Sequence, residues 1–333
     1  AQKSKFFKMS RLATLSEKFR KNSNPDLLRG HEKKVVSTSW NESGDLLASG
    51  SMDMSVRLWS LKEGRVRESA IFRDNKHPLG EVMFSPTDRN LLATITDKKS
   101  MLFFDVRSGK RTNTITTEGS NISMGWSPDG RYIAVGNKSD VLLFVDTKKG
   151  EIVKRQKFNY EINQIKWDVE SRFLMATNQS RSRGAVQVMK MDASTSDSSN
   201  EGDFILRTVN QMLGHTANCF AIEVDPSGKY LASGSSDAMV CIWNTSDLTC
   251  SSAINRMEWP VTTLSFSYDG SLLASGSEDA FIDIADTKTG ARVWKQESKG
   301  MIYSLSWHPK ALLLAYTHDA PSQDSNVIKL MGI

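Results

Sequence analysis

Cysteine, proline and histidine are scarce in this 333-residue chain, at three, eight and five residues. The cysteines, Cys219, Cys241 and Cys250, are odd in number and lack close pairing, and no C-x-x-C or mixed Cys/His ligand spacing occurs. That excludes a disulfide framework and a zinc site, and the three read as buried reduced thiols. No apolar run reaches the 18 residues of a membrane span, and no signal-peptide pattern appears, which points to an intracellular, soluble protein with no membrane contact. Phosphate-loop, nucleophile-elbow and zinc-protease motifs are also missing. The Gly-rich Ser49-Gly50-Ser51 and Ser233-Gly234-Ser235 lie in strand-like runs rather than at helix N-termini. His77, His308 and His318 are scattered singles, read as turn or strand histidines rather than metal ligands. The expectation is no cofactor, no metal and no catalytic set.

What the chain does have is a ladder. Trp40, Phe84, Trp126, Trp167, Val224, Phe266 and Trp307 recur at steps of 44, 42, 41, 57, 42 and 41 residues. A polar turn follows each, then a short apolar run, as in Asn41-Glu42-Ser43-Gly44 before Leu46-Leu47-Ala48-Ser49-Gly50. Seven such units of short strands and Gly/Asp turns predict an all-β, seven-bladed WD40 β-propeller.

In the first unit three strands are predicted at Val35 to Trp40, Leu46 to Gly50 and Val56 to Trp59, with a tight Met52-Asp53-Met54 turn. A less regular fourth strand follows, such as Val66 to Phe72 or Ile152 to Phe158. The last unit ends at Val327-Ile328-Lys329-Leu330 and has no chain left for an outer strand. Leu27-Leu28-Arg29, ahead of the first unit, is expected to supply it and close the ring. The propeller thus spans 24–333 as a single domain. Its 57-residue step holds a Ser/Asp-rich acidic insertion, 192–203, expected to be a mobile surface loop.

Residues 1–23 form a different kind of segment. Phe6, Met9, Leu12, Leu15 and Phe19 recur at helical spacing between basic residues, predicting a short basic amphipathic N-terminal helix outside the ring. Residues 1–34 carry ten Lys/Arg against three Asp/Glu, leaving 33 basic and 35 acidic residues for the remainder. Any nucleic-acid contact should therefore be sought on this arm. Three readings stand open: docking of the apolar side into a partner or onto this propeller, phosphate contact, and membrane-surface binding. Candidate partner or nucleic-acid contacts are Phe6, Lys8, Arg11, Leu12, Leu15, Lys18, Phe19 and Arg20, with Arg181 and Arg183 as a small positive rim patch.

Two units repeat one constellation: His31, Ser49, Asp53 and Trp59, then His215, Ser233, Asp237 and Trp243, both at steps of 18, 4 and 6. A Ser/His/Asp set invites a hydrolase reading, but a triad needs one convergent site and its oxyanion hole, and duplication argues against it. Resemblance to WD-repeat proteins assigns these residues to a hydrogen-bonded chain inside each blade. Other units degrade the pattern, with Phe104, Val145 and Ala285 at the Trp position, and are expected to depend more on packing.

Asn121 to Asp146 (NISMGWSPDGRYIAVGNKSDVLLFVD), Gly228 to Asp247 (GKYLASGSSDAMVCIWNTSD) and Met257 to Gly290 go beyond the general repeat. Trp259-Pro260 and the run from Glu278 to Ala285 depart from its consensus. Together they resemble the WD-repeat subunit of the THO complex, part of the TREX mRNA-export assembly, over about residues 29–333. The resemblance implies a nuclear, non-catalytic scaffold subunit in protein-protein contact with the large helical THO scaffold subunit and the other THO subunits. A DEAD-box RNA helicase and export adaptors would be reached through the assembly, which couples transcription elongation to mRNA packaging, transport and export, with RNA contacted indirectly. Rival readings are direct binding of RNA or DNA through the arm, or an adaptor of another complex.

Overall fold

A computed structural model describes residues 2–73, 76–180, 183–193, 204–319 and 323–332; over 2–10, 179–180, 193 and 323–324 it describes the backbone alone. The strands form seven four-stranded antiparallel sheets. In blade 1 they run outward from the axis as Val35–Trp40, Leu46–Ser51, Val56–Lys62 and Arg65–Phe72. Each ladder residue ends an innermost strand. Depth explains the composition. The second strand lies between two neighbouring blades and is almost wholly buried, so it is written in Leu, Ala, Ser and Gly, whereas the outer strand is mostly exposed and polar. Seven hydrophobic clusters fill the seven inter-blade wedges. Between blades 1 and 2, for example, Phe72 stacks on Phe104 at 5.2 Å.

In five blades the turn after the ladder residue takes a left-handed backbone four positions on. Gly44, Gly130, Gly228 and Gly270 take it with φ of 65–80°. In blade 4 Ser171 adopts φ 59° without glycine's freedom, a strain of about 1–2 kcal/mol. The Asp168 carboxylate offsets it by accepting the Arg172 and Phe173 backbone N–H groups at 2.7 and 2.6 Å.

The innermost strands leave unpaired N–H groups toward their neighbours around the axis. Side chains three residues before the ladder position cap them across blades. Val82 N–H donates to Ser37 Oγ at 3.1 Å, Met124 N–H to Glu81 at 2.6 Å, Ile222 N–H to Gln164 Oε1 at 2.6 Å and Thr38 N–H to Ser304 Oγ at 3.1 Å. The last of these crosses the seam between blades 7 and 1. Three further contacts lock that seam: Asp26–Leu28 pairs with the terminal strand, Leu28 opposite Ile328; His308 Nε2–H donates to Gly44 O at 2.9 Å; and Lys34 meets Tyr303 and Asp319 at 2.5 and 2.9 Å. The first and last segments of the chain therefore share blade 7.

Three sequence expectations need adjusting. Cys219 and Cys241 are buried, but Cys250 is exposed, because it lies on the outward side of an outer strand, Thr249–Ile254. The insertion begins later than 192: strand Arg183–Ala193 runs through its first two residues and pairs with Phe204–Leu213, so blade 4 extends an outer hairpin of 11 and 10 residues. Asp192 favours the extension by bridging Lys190 and Arg207 at 2.8 and 3.1 Å. The remainder of that loop, from 194 to 203, lies outside the described residues. In blade 6, charge assists the packing: wholly buried Asp283 takes Arg256 and Arg292, each at 2.5 Å.

The N-terminal helix, α1 (Gln2–Lys21), lies against the outer strand of blade 6. Its basic last turn, Lys18, Arg20 and Lys21, suits the negative end of the helix dipole. Deleting residues 24–30 removes the Leu28–Ile328 pairing and is expected to lower the melting temperature by roughly 5 °C, read by calorimetry; an unchanged midpoint would show that the seam does not depend on this strand.

Candidate interaction surfaces

Both tetrads are joined in space. In blade 1 the Trp59 indole N–H donates to Ser49 Oγ at 2.9 Å, Ser49 lies 2.8 Å from His31 Nε2, and His31 Nδ1 lies 2.9 Å from Asp53. The carboxylate partner assigns the proton to Nδ1 and leaves Nε2 to accept from the serine. Burial works against the Asp53 charge, but hydrogen bonds from His31, Ser55 and the Glu32 N–H hold its carboxyl well below the usual carboxylate range. Blade 5 repeats the geometry, with Trp243 and His215 each 2.8 Å from Ser233 Oγ. Ser49 and Ser233 are wholly buried, so no substrate atom reaches either hydroxyl. The chain of donors ties the turn holding Asp53 to the third strand through its Trp. In blade 6 Met257 stands at the His position, its sulfur 3.6 Å from Ser277, and Asp279 instead accepts the Glu258 and Trp259 N–H groups.

A channel of about 510 Å³ runs among the innermost strands. Glu81, Lys166 and Glu223 line it, and Lys166 bridges Glu223 at 2.7 Å. Burial pushes the Glu81 carboxyl up to about 7, against the pull of the Met124 N–H and the Lys166 charge. Burial also disfavours the Lys166 charge, yet attraction to Glu223 and Glu81 holds its ammonium above the ordinary value. Burial raises the Cys219 thiol to about 12 and pushes Cys241 up too, the neighbouring Cys250 adding to it, so both are poor nucleophiles.

The helix docks on the propeller itself. Phe19 is wholly buried between blades 6 and 7 and stacks on Trp294 at 6.2 Å, while Leu12 and Leu15 pack beside it. These three candidates are covered by their own chain. Arg11 pairs with Asp269 at 3.6 Å, and Lys18, Arg20 and Arg183 are exposed. The side chains of Phe6 and Lys8, and all of Arg181, lie outside the described residues. Sequence reading missed the exposed apolar residues of blade 4, Val169, Ile205, Val209 and Leu213. Their signal is faint, an apolar residue every four positions along an outer strand that should be polar. Trp259 is also exposed, at 56%.

Comparison with known proteins fits this geometry. The family described as WD domain, G-beta repeat matches residues 23–60, 206–244 and 251–284, and the Anaphase-promoting complex subunit 4 WD40 domain matches 82–170. The second and third repeat matches begin on the outer strand of one blade and end on the third strand of the next, and the first begins just ahead of such a strand, so each spans the boundary between blades. The chain is 36% identical to THO complex subunit 3 of Arabidopsis thaliana over 310 residues, covering 91% of this chain and 94% of the relative. The chain belongs to the THO complex subunit 3 family. It is also 30% identical to WD repeat-containing protein AAC3 of Dictyostelium discoideum, covering 96% of this chain and 68% of that one. Protein TEX1 of Saccharomyces cerevisiae is 23% identical, over 77% of this chain and 62% of its own length. Within the family fold, no helix among the described residues is long and apolar enough to cross a membrane.

Ser233→Ala strands two buried donor–acceptor partners and is expected to cost about 2–4 kcal/mol in urea denaturation. Ser275→Ala, in the blade without the tetrad, should cost about 1 kcal/mol or less; equal losses would deny the tetrad its tie. For Glu81 the folded value lies above the ordinary carboxylate value. Its contribution to stability is therefore present in mild acid and lost as pH rises toward and through 7. Glu81→Gln should remove this slope, so melting curves of wild type and variant between pH 5 and pH 8 (roughly the interval spanned by the two values) should diverge in the variant's favour as pH rises.

Proposed function

We propose that this chain is a non-catalytic scaffold subunit of a THO-type nuclear assembly that couples transcription elongation to mRNA packaging and export. The observation that carries the proposal is the similarity along nearly the whole length of both chains to a THO complex subunit 3. Geometry supports it. Seven blades locked by cross-blade caps and a shared seam make a rigid body, and the serines of both tetrads are sealed from solvent. Such a body contributes shape and surface rather than chemistry. Its direct partner is the large helical THO subunit, with the remaining THO subunits around it, and a DEAD-box RNA helicase and export adaptors are reached through the assembly.

A second reading has one observation in its favour: Lys18 and Arg20 stay exposed at the end of α1, clear of the Phe19 contact. Phosphate contact there would make binding of the isolated chain to RNA fall steeply with salt. Tagged full-length protein expressed in nuclear extract is expected to recover the large helical THO subunit in salt-resistant, stoichiometric amounts, read by mass spectrometry. Recovery of cytoplasmic partners alone would sink the assignment, and RNA binding lost on deleting residues 1–22 without loss of that subunit would establish the second reading beside the first.

A further inference from the structure

Blades 4 and 5 leave between them an open groove of about 360 Å³, and strand register makes it the counterpart of the groove that Phe19 fills. In blade 4 Met175 pairs with Val188 as Ala274 pairs with Ile284 in blade 6. In blade 5 Leu231 pairs with Trp243 as Leu314 pairs with Met331 in blade 7. The same walls therefore face each other in both places. Between blades 6 and 7 the space is closed by α1. Between blades 4 and 5 none of the described residues closes it, and Val169 and Val209 at its mouth are 45% and 43% exposed. Asn210 replaces Trp294 on the outer strand, which leaves room where the helix-bearing groove has an aromatic ring.

Charge follows the same correspondence. Arg11 of α1 pairs with Asp269, three residues after the ladder position of blade 6. Glu170 stands three residues after that of blade 4, on the groove wall with Asp168. Arg172, which contacts Glu170, is the basic residue among those lining the groove, so Asp168 and Glu170 leave its rim net negative. An apolar groove with an acidic rim repels phosphate and suits a cationic helix.

We propose that the blade 4–5 groove binds a basic amphipathic helix of a partner protein, which inserts an aromatic or large aliphatic side chain as Phe19 does and sets a basic residue against Glu170 and Asp168. This rests on reading the chain as an interaction subunit. The exposed Ile205, paired with Asp192, continues the apolar surface along the same outer strand.

The test uses full-length protein and a synthetic copy of Gln2–Lys21 carrying a photo-crosslinker in place of Phe19. Saturable binding is expected, with the peptide gaining helicity and crosslinks falling within 168–175 or 204–213. Val209→Glu, and separately Val169→Glu, should weaken it by about tenfold or more with an unchanged melting temperature, whereas Tyr268→Glu, exposed elsewhere, should not. Crosslinks confined to blades 6 and 7, binding indifferent to both valine variants, or displacement of the peptide by a uridine-rich RNA oligonucleotide would each overturn the proposal. The two readings separate cleanly. Peptide binding without recovery of THO subunits keeps the groove and removes the assembly, and THO recovery without peptide binding does the reverse.

Discussion

A sheet that ends at a free edge must satisfy that edge, and a ring of seven sheets presents this demand at every inner strand and again at the seam. The chain meets it with side chains that reach across to the next blade. Ser37, Glu81, Gln164 and Ser304 each accept a backbone N–H from a neighbouring innermost strand, so blades are coupled by directional bonds as well as by apolar wedges. Everything else depends on this closure, because a wedge of hydrophobic side chains packs only if its two walls are held at one spacing. The Glu81 carboxylate answers the demand at the cost of burying a charge, and its raised protonation follows from that position.

The blades then differ in what ties their strands together. Blades 1 and 5 use a buried Trp–Ser–His–Asp chain, blade 6 uses a buried aspartate between two arginines, and blade 7 takes its outer strand from the start of the chain. Blade 7 also has Met331 where blades 1 and 5 have tryptophan. The missing ring volume is made up from outside the repeat, by Phe19. The helix is thus part of the packing of the ring as well as a carrier of positive charge. Between blades 4 and 5 Trp243 keeps the ring position, but Asn210 stands where blade 6 has Trp294, and apolar surface at Val169 and Val209 is left exposed among the described residues.

Much of this was legible beforehand. Seven anchors, the polar turn after each, the borrowed outer strand and both tetrads follow from periodicity and turn chemistry, since these are local patterns read at fixed offsets. Less legible were the features that depend on neighbours. Cys250 reads as a buried thiol with the other two, yet it is exposed because the strand it occupies is the outermost. The run from Glu278 to Ala285 reads as a departure from consensus, and its Asp283 acquires meaning only when Arg292 from the outer strand and Arg256 from the connection ahead of the blade converge on it.

The sequence by itself determined the number of blades, their order and the residues of each hydrogen-bonded tetrad, because the repeat is written in every unit and each unit folds by the same short-range rules. It also carried a family resemblance in segments that depart from the repeat. Only the tertiary structure decided which side of α1 is covered, which blades share a wedge and where apolar surface stays open. Those answers are set by volumes that must match across a gap between residues hundreds of positions apart, such as Phe19 and Trp294, and no local pattern encodes the size of that gap.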